Sequence, residues 1–227
     1  MAYQMVIFDN DGTLVDSEHT AHRVLAGYLT ELGYPTTLEE SFHHFLGNAG
    51  RNVHTVVADR YGGTLPEDFT GRCHERVFAA FQQGVDASSG AAELLAELER
   101  RELRYCLASS SDHAWIDLTL DRSGLRPYLP APLVFSAEDV AGIGKPAPHL
   151  FLHAARAMGV APEDCLVVED SPNGVLAARA AGMDVLGYTA LMPADRLAAA
   201  GATALIGELR QVLDHVARPI RSHGNVR

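Results

Sequence analysis

The stretch Met5-Val6-Ile7-Phe8-Asp9-Asn10-Asp11-Gly12-Thr13 joins four apolar residues to two carboxylates and a glycine. The apolar run is short and bounded by turn-forming residues, which predicts a buried strand ending at Asp9. Side chains at i and i+2 point the same way on an extended backbone, so Asp9 and Asp11 can share one small volume, and Gly12 lets the chain turn sharply after them. Two like charges held close together call for a divalent cation, or for a division of labour between an ionised nucleophile and a protonatable acid. Asp-x-Asp-Gly also opens calcium loops, but such a loop needs Glu at its twelfth position, and Thr20 stands there.

Outward from this segment, strand-like apolar runs recur at 104–108, 133–135, 166–168, 185–187 and 204–206. Between them lie stretches with the 3.6-residue period. Ala91, Leu94, Leu95 and Leu98 form one apolar face, and Phe151, Leu152, Ala155 and Met158, closed by Gly159, form another. A third, 175–181, is closed by Gly182. Strands alternating with helices predict an α/β fold, a Rossmann-like parallel sheet core whose strand carboxyl ends share one edge. Residues 16–86 break the alternation. They read as helices near 16–32, 37–45, 51–61 and 65–82, interrupted at Gly33-Tyr34-Pro35, Gly47 and Gly62-Gly63, with 84–90 as the return linker. The expected organisation is therefore a core of 1–15 and 87–227 with an inserted α-helical cap domain at 16–86, and 218–227 as a loosely held tail.

At 227 residues and 47% hydrophobic, the chain has ample material for a packed interior. A formal charge of −11 argues against nucleic acid or an anionic membrane as partner, since both select basic surfaces. Met1-Ala2-Tyr3-Gln4 opens no basic and apolar leader, and no apolar run is long enough to cross a bilayer, so a cytoplasmic protein is expected. Cys73, Cys106 and Cys165 lack zinc or redox spacing and read as small buried hydrophobes. Of 18 basic residues only Lys145 is a lysine, which marks the one place where a compact ammonium is wanted.

The other strand ends carry polar residues too. One strand runs into Ser109-Ser110-Ser111, whose hydroxyls and backbone N–H groups suit a phosphate oxyanion and could equally cap the helix expected at 112–120. Lys145 lies in Gly144-Lys145-Pro146-Ala147-Pro148, where two prolines stiffen the approach to a helix. A further strand ends in Glu169-Asp170-Ser171, a second carboxylate pair of the hard oxygen type that magnesium prefers. Carboxylates, serines and one ammonium, each at a strand end, make a constellation with a mechanism.

With these residues assembled, the chain resembles the haloacid dehalogenase superfamily of phosphatases and phosphomutases. Four motifs occur in order: Asp9-x-Asp11-Gly-Thr-Leu-Val-Asp-Ser-Glu, Ser109 at a strand end, Lys145 in Gly-Lys-Pro-x-Pro, and Glu169-Asp170-Ser171. The subgroup it looks like is the β-phosphoglucomutase-like branch, which includes many small sugar-phosphate phosphatases. The resemblance implies that Asp9 attacks phosphorus and Asp11 acts as acid and base. It implies Mg²⁺ held by Asp9, the Asp11 carbonyl and Asp170, with Glu169 as ligand or supporting partner. Ser109 and the N–H of Ser110 would hold phosphoryl oxygens, and Lys145 would bridge Asp9 and phosphate. The expected activity is a Mg²⁺-dependent phosphatase acting on a small phosphorylated metabolite.

Related activities fit less well. A dehalogenase needs no acid like Asp11, and Schiff-base phosphonate chemistry resembles a pattern with a cap lysine that this chain lacks. In the mutase pattern a histidine lies ten residues after the acid/base, where Ala21 stands beside His22, and a basic residue follows the serine loop, where Asp112 stands. A non-catalytic binding module would be expected to lack a motif carboxylate, and none is missing. Arg51, in the turn Gly47-Asn48-Ala49-Gly50-Arg51, is expected to contact a substrate carboxylate or hydroxyl, and His22, His43, His44, Arg72 and Arg76 are further cap-facing candidates.

Overall fold

The computed structural model describes residues 3–46 and 53–216. The first strand, β1 (Met5–Phe8), is followed by four helices, α1 (Ser17–Glu31), α2 (Leu38–Phe45), α3 (Val53–Tyr61) and α4 (Phe69–Gln83). The chain then alternates: α5 (Ala91–Arg100), β2 (Arg104–Ser109), α6 (His113–Ser123), β3 (Val134–Ser136), α7 (His149–Met158), β4 (Cys165–Glu169), α8 (Pro172–Ala180), β5 (Asp184–Tyr188), α9 (Ala194–Ala199), β6 (Ala204–Ile206) and α10 (Val212–Val216). All strand pairs are parallel, in the order β3-β2-β1-β4-β5-β6. β1 is central, with Phe8 in register with Leu107 of β2 and Val168 of β4.

Alternation along each central strand feeds two cores. Val6, Phe8, Tyr105, Leu107, Leu166 and Val168 face a cluster built with α5, α6 and α10. Met5, Ile7, Cys106, Ala108, Cys165 and Val167 face another built with α7, α8 and α9. This is why the strands read as continuous apolar runs, each fully buried side chain contributing about 1.5 to 3 kcal/mol. Tyr28, Leu29, Val57, Leu65 and Phe69 form a third cluster among α1, α3 and α4.

The inserted helices leave and rejoin the sheet at one place. Asp16 N–H donates to the Asp86 carbonyl and Ser88 N–H to the Leu14 carbonyl, each at 2.9 Å, with Val15 bridging Ala87 in antiparallel fashion. The two crossings are thus tied side by side.

Several expectations shift in detail. α4 starts at Phe69 rather than 65, and α8 starts three residues earlier than 175, where Pro172 takes the first turn and Ser171 accepts from Gly174 N–H as cap. The short helices α9 and α10 are additions to the elements expected from the sequence. Cys106 and Cys165 are buried as expected, but Cys73 is only half-buried, on the face of α4 toward the site described below. Gly47, Arg51 and the tail 218–227 lie outside the described residues.

Candidate active site

The carboxyl ends of β1, β2 and β4 meet beneath the inserted helices and line one cavity of about 610 Å³. β1 delivers Asp9, whose backbone N–H continues the sheet to the Val168 carbonyl at 3.0 Å. The chain then leaves the extended form: the Asn10 carbonyl accepts from the N–H groups of Leu14 and Val15 at 3.0 and 2.9 Å, and Gly12 has φ +78°. Because of that turn, Asp9 and Asp11 face the same cavity but different partners.

Asp9, Glu169 and Asp170 form a buried cluster in which one oxygen from each lies within 4.8 Å of the others. Lys145 Nζ donates to Asp9 Oδ1 and, at 2.6 Å, to Glu169 Oε1. It also sits 5.0 Å from the centre of the Phe151 ring. The second oxygen of Glu169 accepts from Ser171 N–H at 3.0 Å and Ser171 Oγ–H at 2.9 Å. Burial pushes the Asp9 carboxyl up to about 8 against the pull of the Lys145 ammonium, and the charges of Glu169 and Asp11 add to the rise. Asp170 is raised for the same reason, first by burial and then by Glu169 and Asp9. Lys145 is held protonated by Asp9 and Glu169, although burial works against it.

Asp11 points to the β2 side. Its Oδ2 accepts from Ser111 Oγ–H at 3.0 Å and, more distantly, from Ser109 Oγ–H at 3.4 Å, and its Oδ1 accepts from the Trp115 indole N–H at 2.9 Å. Ser110 turns the other way, its Oγ accepting from Lys145 N–H at 3.1 Å. A Cβ on Gly144 would stand 3.0 Å from that oxygen, so a glycine suits the close approach of the two loops.

The donor set suits a hard divalent cation. Once ionised, three buried carboxylates beside a single ammonium would carry two net negative charges in a space largely shut off from water, which a divalent ion would neutralise. Two glycines make room for these carboxylates: a Cβ on Gly12 would fall 2.2 Å from Asp170 Oδ2, and one on Gly174 would fall 1.8 Å from the Glu169 carboxyl carbon.

The inserted helices supply the opposite wall: Glu18, Ala21, His22 and Leu25 of α1, Phe45 at the end of α2 with Leu46 just beyond it, Val53 and His54 of α3, and Thr70, Cys73 and Val77 of α4. Of the residues expected to face the site from there, only His22 lines it among the described residues. It is buried, stacked on Phe42, with Nδ1 2.8 Å from Ser41 Oγ and Nε2 3.1 Å from Glu18. Arg72 and Arg76 are instead paired with Asp68 and Glu31 at 2.7 Å. Arg51 is outside the described residues. His54, Thr70 and Trp115 belong to none of the motifs read from the sequence, and Glu18 only ends the first of them; Trp115 alone carries a compositional signal, as the one tryptophan of the chain. Asp112 caps α6, accepting from Trp115 N–H at 2.8 Å.

Residues 3–182 match the profile of haloacid dehalogenase-like hydrolases. The chain belongs to that family. It is 32% identical over 189 residues to hexitol phosphatase A of Escherichia coli (strain K12), covering 83% of each chain. Among solved structures, it is similar to a haloacid dehalogenase-like protein of unknown function from Agrobacterium tumefaciens str. C58, with TM-score 0.86 and 36% identity over 95% of this chain and 98% of that one. It is also similar to a candidate β-phosphoglucomutase from Thermotoga maritima, with TM-score 0.76 and 27% identity over 96% of this chain and all of the other. This haloacid dehalogenase-like hydrolase is a phosphoric monoester phosphatase. Among its described residues, no helix is long and apolar enough to cross a membrane.

Proposed function

We propose that this hydrolase is a Mg²⁺-dependent phosphatase of a small phosphorylated metabolite, a sugar phosphate or similar monoester, working through an aspartyl phosphate on Asp9. The observation that carries the reading is Lys145, buried and shared between Asp9 and Glu169 at the edge of an acidic cluster. Its charge offsets part of the rise that burial imposes on Asp9 and holds the carboxylate in register for attack on phosphorus, forming the Asp9–phosphate bond as the bond to the leaving oxygen breaks. Asp11 gives that oxygen a proton and then takes one from the water that cleaves the aspartyl phosphate. Ser109 Oγ and the Ser110 N–H hold phosphoryl oxygens. Asp9, the Asp11 carbonyl and Asp170 would hold the magnesium. Both oxygens of Glu169 already have partners, which favours its acting through Lys145 and Ser171. The bound cation would supply charge neutralisation for the nucleophile and the phosphoryl group.

We assign 16–86 as a cap and 1–15 with 87–227 as the core, the tied crossings at 14–16 and 86–88 serving as hinge. Closure would exclude water and set the choice of leaving group. A cytoplasmic location is part of the same proposal. No described residue favours the mutase reading: Asp112 is committed to capping α6, and His22 to Ser41 and Glu18.

Release of phosphate from 4-nitrophenyl phosphate tests the reading. Turnover is expected with Mg²⁺, lost in EDTA and abolished by Asp9→Asn. Turnover unaffected by EDTA or by Asp9→Asn refutes it.

A further inference from the structure

Trp115 links the inserted helices to Asp11. Its indole N–H donates to Asp11 Oδ1 at 2.9 Å, the shortest of the side-chain hydrogen bonds that hold this carboxylate. Its ring belongs to α6 of the core, yet it lies among residues of α4. His74 stacks on it at 5.0 Å and 21°, Phe81 meets it edge-on at 4.8 Å and 72°, and Phe78 lies 6.3 Å away. The backbone beneath is fixed as well, because Asp112 Oδ1 accepts the Trp115 N–H. An indole clamped between two rings has little freedom, so its N–H direction follows the position of α4.

A carboxylate that must serve first as acid and then as base has to be aimed at one oxygen, and misaim by about an ångström is costly. We propose that Trp115 is a positioning residue for this hydrolase: its indole N–H aims the Asp11 carboxyl, and its packing on His74 and Phe81 makes that aim depend on the placement of α4. The inference rests on Asp11 being the acid/base. It adds a residue with no motif of its own and a physical route from the inserted helices to the proton-transfer step.

The test separates aim from general structural damage. Phenoxide needs a proton to leave well, whereas 4-nitrophenoxide leaves as the anion, so only phenyl phosphate depends strongly on Asp11 in the first step, which kcat/KM reports. Trp115→Phe keeps a ring against His74 and Phe81 but removes the N–H. It should lower kcat/KM for phenyl phosphate about 10-fold or more beyond any loss with 4-nitrophenyl phosphate. Because the chain has one tryptophan, replacing it throughout by benzothienylalanine removes the same N–H with the bicyclic shape intact. That protein serves if Trp115→Phe folds poorly, and the same selective loss is expected. Equal losses on both esters, no loss, or a gain would overturn the inference while leaving the phosphatase reading intact. Failure of the wild-type protein to hydrolyse either ester would overturn both.

Discussion

Gly12 and Asp170 compete for one space: a Cβ at residue 12 would lie 2.2 Å from Asp170 Oδ2 and 2.9 Å from its carboxyl carbon. With φ at +78°, residue 12 is also in the left-handed region, where a side chain is strained. Gly12→Ala should therefore destabilise the protein by about 1 to 3 kcal/mol and push Asp170 out of the acidic cluster. A thermal melt reads the first effect, and a Mg²⁺ titration of activity reads the second as a raised requirement for the cation. An unchanged Mg²⁺ requirement would show that Asp170 is not held where the cation binds.

Among the described residues, buried Lys145 pairs with two anions, Asp9 and Glu169. Lys145→Met fills similar volume but leaves both carboxylates unpaired away from water, and truncating one partner of such a pair typically costs about 3 to 5 kcal/mol. The measured loss should be largest in EDTA and shrink when Mg²⁺ is added, since the cation replaces part of the missing charge. Activity should stay low even with saturating Mg²⁺. Urea unfolding with and without Mg²⁺ checks this, and equal losses in both conditions would contradict it.

How much of this was visible in the sequence differs by residue. The order of strands and helices was legible because a sheet covered on both faces imposes long apolar runs, as in 5–8 and 165–168, and amphipathic helices between them. Asp9 and Asp170 were legible because each follows a strand directly and Glu169 because it ends one, whereas Lys145 stands not at a strand end but in the loop between β3 and α7, and was legible as the lone lysine beside two prolines. The orientation of Asp11 was not, because the i, i+2 rule holds only while the backbone is extended, and the chain turns at Asn10. Trp115 was invisible as a site residue, since its meeting with Asp11 joins positions 104 apart and depends on how α6 sits on α4. On the inserted helices, spacing could not choose the face, and it was His22 and not Arg72 or Arg76 that turned to the cavity.

Asp112 supplies a separable test of local architecture. Its side chain accepts the Trp115 N–H at 2.8 Å and opens α6. Asp112→Ala should cost about 1 kcal/mol, whereas Asp112→Ser, which keeps an acceptor, should cost only a fraction of that. For a chain of this size about 1 kcal/mol corresponds to a fall of roughly 2 to 4 °C in Tm. Identical melting of the two variants would remove the cap from the account of α6.

The acidic cluster predicts a pH dependence whose sign depends on the cation. Without metal, the folded-state Asp9 carboxyl is raised to about 8 from an ordinary value of 3.8, and Asp170 is raised too. Between those values the folded protein keeps protons that the unfolded chain has released, so its stability is greatest at the acid end and falls as pH rises toward 8. The slope is about 1.4 kcal/mol per pH unit for each such proton. Melting in EDTA should therefore show Tm falling from about pH 5.5 to about pH 8. Saturating Mg²⁺ should flatten or reverse that slope, because cation binding favours the ionised carboxylates and grows stronger as protons leave. Asp9→Asn removes one of the titrating groups and should flatten the EDTA curve in part, with no cation present. A Tm that rises with pH in EDTA would mean that Lys145 outweighs burial at Asp9, and that the cluster is balanced without a metal.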